Sequence, residues 1–132
     1  MKKMIFPALV GLVLVTGGCV NTVSDTSHLA TTWSKDRVPG RYERSVDQVY
    51  RAAITVLNNE GVVVREYIPH ETENNARSVQ GKVNQSDVWI KVASEDDPKI
   101  TAVVVEARTK WGASYINLAH ELEKDIALQL SQ

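Results

Sequence analysis

Few side chains in this chain of 132 residues could do chemistry, and one of them stands alone. Cys19, in the stretch "LVTGGCVNTV" at residues 14–23, is the only cysteine. A single thiol cannot close an internal bridge, which leaves an intermolecular disulfide, a free thiol or a modified sulfur. His28, His70 and His120 are the only imidazoles. A zinc site needs three or four convergent ligands, and no two of these histidines stand at i, i+4 spacing, so all three read as surface residues. In "SEDDP", residues 94–98, Asp96 and Asp97 have the chemistry of calcium ligands, but the run reads first as a solvated hairpin tip. There is no glycine-rich phosphate loop and no Gly-x-Ser-x-Gly elbow. The residues therefore point to no catalytic site, metal or cofactor, and the chain is expected not to be an enzyme.

The segment before Cys19 gives the cysteine a setting. Lys2 and Lys3 make a short positive start, and residues 5–15 are almost wholly apolar. As a helix the apolar run is roughly 17 Å long at ~1.5 Å per residue, too short for a hydrocarbon core of about 30 Å. A positive start, a short apolar middle and the small residues Thr16, Gly17 and Gly18 are the pattern of an export signal. Residues 20–35 are different in kind: nine of the sixteen are Ser, Thr, Asn or Asp. Such a segment buries too little apolar surface to offset the entropy of ordering it. It reads as a tether of roughly 25 Å root-mean-square reach if flexible. Trp33 is the exception within it, suited either to docking on the domain or to the lipid interface.

"GGC" at 17–19, at the end of the apolar segment, resembles a bacterial lipobox. That resemblance implies diacylglycerol on the Cys19 sulfur, cleavage after Gly18 and acylation of the new amino terminus. One acyl chain holds a protein only marginally, at about 0.8 kcal/mol per buried methylene, whereas two or more hold it stably. Val20 stands where an Asp usually marks inner-membrane retention, so the resemblance also implies the outer membrane, with the domain on the periplasmic side. The expected organisation is a signal peptide over 1–18, a lipidated terminus and tether over 19–39, and one domain over 40–132. Without residues 1–18 the chain carries 13 basic and 16 acidic residues. Mild acidity with no basic cluster argues against nucleic acid as a partner. The partners expected are membrane lipid, through acylated Cys19, and an envelope protein.

The elements of the domain follow from periodicity. Ser45 and Gln48 form a capping box, and Val46, Val49, Tyr50, Ala53, Ile54 and Leu57 recur at helical spacing, giving a helix over 46–60 that Gly61 ends in the left-handed conformation. Runs at 62–68, 77–83, 87–93 and 100–108 are β-rich or alternating, with short connections between the last three, as in a meander. Residues 41–44 offer a further short edge strand. A second helix over 113–130 carries Tyr115, Leu118, Ala119, Leu122, Ile126 and Leu130 as its stripe. The fold class expected is α+β: a two-layer sandwich with a four- or five-stranded antiparallel sheet and both helices on one face. Leu57, Ile126 and Val104 belong to the expected core. The helix-free face carries Trp89 and Lys91, with Ser78, Gln80 and Lys82 beside them, and Trp89 is the candidate anchor for a partner. Strand 62–68 resists assignment, because simple alternation puts Glu66 with Val64 and Arg65 with Val63 and Tyr67.

"SVDQVYRAAITVLNNEG", the meander and "VVVEARTKWGASYINLAHELEKDIALQL" together resemble the short Gram-negative lipoproteins built on a small domain of unknown function. The likeness spans residues 40–130 and implies the fold and the envelope location; it brings no substrate, cofactor or catalytic residue. Three classes of function remain: a tethered binding or assembly module, a passive structural or stress-linked envelope protein, and an enzyme with an unrecognised site.

Overall fold

The computed structural model describes residues 36–69 and 74–132. The expected signal segment, Cys19, the expected tether as far as residue 35, with His28 and Trp33, and His70 lie outside the described residues. Seven elements follow one another: β1 (Arg37–Tyr42), α1 (Val46–Glu60), β2 (Val62–Tyr67), β3 (Arg77–Val83), β4 (Ser86–Ser94), β5 (Thr101–Arg108) and α2 (Ile116–Leu130). The strands form one antiparallel sheet in the order β1-β5-β4-β3-β2. Helix α1 lies over β2, β3 and β4, α2 lies over β5 and β1, and the helices pack on each other. This is the expected α+β sandwich with five strands and both helices on one face.

Local chemistry explains the elements. Helix α1 opens on a complete capping box: the Gln48 amide donates to Ser45 Oγ at 3.2 Å, and the Ser45 amide donates to Gln48 Oε1 at 3.2 Å. Two otherwise unpaired donors are satisfied at once. The helix then buries Val46, Val49, Tyr50, Ala52, Ala53, Val56 and Leu57. Against them the sheet presents Val79, Val83, Val88, Ile90, Val92, Val103, Val105 and Ala107, and α2 adds Leu118, Ala119, Leu122 and Ile126. Gly81 lets α1 come close. A Cβ there would stand 2.7 Å from the Val62 carbonyl oxygen and 3.1 Å from a Leu57 methyl.

Five readings of the sequence are corrected. Gly61 caps α1 with φ −170°, not in the left-handed region; its amide donates to the Leu57 carbonyl at 2.8 Å and β2 begins at the next residue. The edge strand is longer and earlier than residues 41–44: β1 takes residues 37–39 from the segment read as tether. Val104 is not a core residue. It lies opposite Pro39 and Lys91 on the helix-free face, and Val103 and Val105 take the buried positions. Helix α2 starts at Ile116 because residues 109–113 close into a turn, and Tyr115 is its exposed N-cap, not part of its buried stripe. Strand β2 resisted alternation because it is bulged between Val63 and Arg65. The extra residue resets the faces: Val63 and Glu66 stand beside the core-facing Gly81 and Val79, and Arg65 and Tyr67 stand beside Gln80 and Ser78.

Candidate functional site

Alternation along β4 buries Val88, Ile90 and Val92 under the helices and sends Trp89 and Lys91 to the opposite, uncovered face. Trp89 is 37% exposed and lies in the middle strand of the sheet. Its cross-strand neighbours are Gln80 and Glu106, and Asp87 and Lys91 flank it along β4. Lys91 lies between Ser78 and Val104. Lys82 shares the face, opposite Asp87. The structure thus brings together the five residues expected there, and it rings Trp89 with polar side chains.

It also adds cations that the sequence reading did not place. Arg37 and Arg41 come from β1, Arg65 from β2 and Arg108 from β5. Many of the charges on this face are tied into pairs. Glu106 accepts from Arg37 at 3.2 Å and from Arg108 at 2.9 Å; Arg108 reaches Asp36 at 3.7 Å, Lys82 reaches Asp87 at 3.8 Å, and Arg41 pairs with Glu95. The more exposed of these pairs, such as Lys82–Asp87, add little stability, typically about 0–1 kcal/mol each. Their consequence is a patterned surface in which cations outnumber acids. The helix layer has the opposite balance, with Asp47 and Glu60 against Arg51 on α1 and Glu121, Glu123 and Asp125 against Lys124 on α2.

Two phenols link the helices to the sheet. Tyr50 donates to Glu66 Oε1 at 2.7 Å, with the Arg77 guanidinium 5.7 Å from the ring centre and itself paired with Asp47. Tyr42 donates to the Glu123 carboxylate on α2. Burial first, then the adjacent carboxylate, pushes both phenols well above the usual phenol range; at Tyr50 the Arg77 charge opposes part of this. A raised folded-state pKa means that these hydroxyls contribute their full stability below the ordinary phenol pKa of about 10 and lose it as pH rises beyond that value. We expect stability to decline above that pH, and Tyr50→Phe to flatten the decline relative to the parent in urea titrations across the alkaline range. Identical slopes would show that Tyr50 is not held in this way.

No built active site emerges from the described residues. No group of three His, Cys, Asp or Glu among them is placed to hold a metal ion. His120 is exposed on α2, and Asp96 and Asp97 are exposed between β4 and β5, where the Lys99 amide donates to Asp97 Oδ1 at 2.9 Å as in an ordinary turn. A hollow of about 580 Å³ lies between α1 and the end of α2, bordered by Glu43, Arg44, Gln48, Arg51 and Gln129. Its size suits a small ligand, but such sites are mostly apolar and enclosed, and this one is open and polar. No described helix is long and apolar enough to cross a membrane. The chain matches no protein-family model, and no curated protein matches it.

Proposed function

We propose that this chain is a lipoprotein of the bacterial envelope, tied to the outer membrane through acylated Cys19, whose domain serves on the periplasmic side as a non-catalytic binding or assembly module. The export pattern and the lipobox-like "GGC" support the anchor. The observation that carries the binding role is the uncovered sheet face, where an exposed Trp89 lies on a surface whose cations outnumber its acids while the helix layer is acidic. A surface with an aromatic centre and a surplus of positive charge suits a protein partner with a complementary acidic surface, since charge complementarity steers encounter and fixes orientation. The polar ring around Trp89 favours a second reading, a passive envelope protein, because an isolated surface aromatic needs no partner.

Two measurements test the anchor and then separate the two readings. Mass spectrometry of the mature amino terminus should find Cys19 acylated, and Cys19→Ser should leave an uncleaved or mislocalised chain; an unmodified terminus at another residue removes the anchor. A photocrosslinker placed at Lys91 in intact cells should capture a defined partner. Trp89→Ala should abolish that capture with folding nearly intact. Equal capture by Trp89→Ala removes Trp89 as the anchor while keeping the partner, and no capture by the parent favours the passive role.

A further inference from the structure

The end of the sheet at which the chain enters the domain carries a second exposed tryptophan. Strand β1 starts here, opposite the end of β5, with Arg37 beside Glu106. The turn that leaves β5 is short and closely tied. Gly112 N donates to the Thr109 carbonyl at 2.8 Å, Thr109 N donates to the Ala113 carbonyl at 2.8 Å, and Ala113 N donates to Thr109 Oγ1 at 3.2 Å. Gly112 sits at φ +83°, a conformation glycine adopts at little cost. At the crest stands Trp111, 85% exposed, with Lys110 Nζ 5.3 Å from its ring centre. An indole so uncovered, on a turn this constrained, is held out from the domain at no benefit to the core.

Arg108 connects this turn to the start of the domain. The same guanidinium pairs with Asp36 at 3.7 Å and donates to the Gly112 carbonyl at 3.1 Å. The residue that follows the tether and the residue that follows Trp111 are thus held by one side chain. Sixteen residues separate Asp36 from Cys19, so seventeen Cα-to-Cα steps join them. At ~3.3–3.6 Å per residue, that chain cannot carry Asp36 more than roughly 60 Å from a lipid-bound Cys19. The end of the domain at which the chain enters is the end that presents Trp111 and Lys110. Glu60, exposed at the end of α1, is also at this end, as are Asp36 and Asp87 in their pairs with Arg108 and Lys82.

We propose that the turn at 109–113 is a second membrane contact, in which the Trp111 indole enters the headgroup level of the phospholipid bilayer while Lys110 meets its phosphates. This rests on the anchor reading above. Indole suits that depth, since its ring is apolar and its N–H keeps a polar partner. A lysine stem lies along apolar surface while its ammonium stays at the polar boundary. Tethering raises the local concentration of lipid to the millimolar range or above, so a contact too weak to hold a free domain becomes populated. The contact would stand the sheet on its end, leaving Trp89 and Lys91 open to the periplasm.

The test uses the full chain, purified from membranes and reconstituted into phosphatidylethanolamine–phosphatidylglycerol vesicles whose acyl chains are brominated near the headgroup. One variant, Trp33→Phe with Trp89→Phe, keeps Trp111 as the only tryptophan; another, Trp33→Phe with Trp111→Phe, keeps Trp89. Circular dichroism checks that both are folded, and mass spectrometry reads the state of Cys19 in the same samples. We expect Trp111 emission to be blue-shifted and at least halved by the brominated lipid, and Trp89 emission to be quenched only by aqueous iodide. Iodide quenching of Trp111 without lipid quenching, in a chain whose Cys19 is acylated, overturns the contact and leaves the anchor standing. Lipid quenching of Trp89 in place of Trp111 overturns it in favour of the sheet face. Protection of Trp111 from both quenchers overturns it in favour of a protein contact. Lipid quenching of Trp111 in a chain whose Cys19 is unmodified sustains the contact and removes the anchor.

Discussion

Leu57→Ala will remove about 2–5 kcal/mol of stability. Leu57 is fully buried, and its terminal methyls lie 3.1 Å and 3.2 Å from the position that a Cβ on Gly81 would take. It seats α1 on β3 at a point where that strand offers no side chain in return. Truncation loses the transfer energy of the removed carbons and leaves a cavity. The neighbours cannot readily close it, because Gly81 has nothing to extend and Val79 and Val83 are held on a strand paired on both sides. Domains of this size are stable by only about 5–15 kcal/mol. At about 4–8 °C per kcal/mol for a domain of this class, the loss should appear as a fall in Tm of roughly 10–40 °C. Leu128→Ala is the contrast: Leu128 is 53% exposed on α2, and its truncation should stay within about 0.5 kcal/mol, as surface changes usually do. Equilibrium urea unfolding decides between them, and equal, small losses would mean that α1 does not face the sheet through Leu57.

The residues that spoke clearly in the sequence were those whose signal is local and periodic. Ser45 and Gln48 announce a helix start within four residues, and Val88, Ile90 and Val92 announce a face within five. Trp89 and Lys91 were legible for the same reason: once the buried set of β4 is known, the exposed set is its complement. Where the signal depended on a distant partner, the reading went astray. Arg37 and Pro39 look like tether until β5 pairs with them. The bulge in β2 cannot be seen from β2 alone, since it exists only against the register of β3. Val104 looked like core because three consecutive valines hide the alternation that Glu106 and Arg108 then reveal. The cationic character of the sheet face was illegible for a related reason. Its arginines come from three strands far apart in sequence, and the overall charge is slightly negative. Trp111 gives no periodic signal of its own, since it falls between the end of β5 and the stripe of α2. The Gly112 that follows it was the available sign of a turn.

Gly61→Ala will cost about 3 kcal/mol or more, for a reason other than a left-handed turn. At φ −170° its backbone lies outside the left-handed region. The obstacle is space: a Cβ would lie 1.9 Å from the Lys82 carbonyl oxygen, 2.9 Å from its carbon and 3.0 Å from Val83 Cα. These are backbone atoms at the end of β3, and that end is fixed from the other side, where Lys82 pairs with Asp87 and Val83 with Ser86. They cannot retreat as the tip of a flexible side chain would. Relief has to come from β2 or the end of α1, which moves Leu57 as well. Overpacking typically costs about 1–3 kcal/mol and more when backbone must shift, so this change belongs at or above the top of that range. Gly112→Ala supplies the comparison, since there a Cβ meets nothing within 4 Å and only the left-handed backbone, φ +83°, is penalised. That penalty is roughly 1–2 kcal/mol. Gly61→Ala should therefore be the more damaging of the two in urea unfolding, although its φ is not left-handed. If the order were reversed, the junction of α1 and β2 would be looser than the close approach of Gly61 to Lys82 requires, and the bulged register of β2 that follows from it would have to be redrawn.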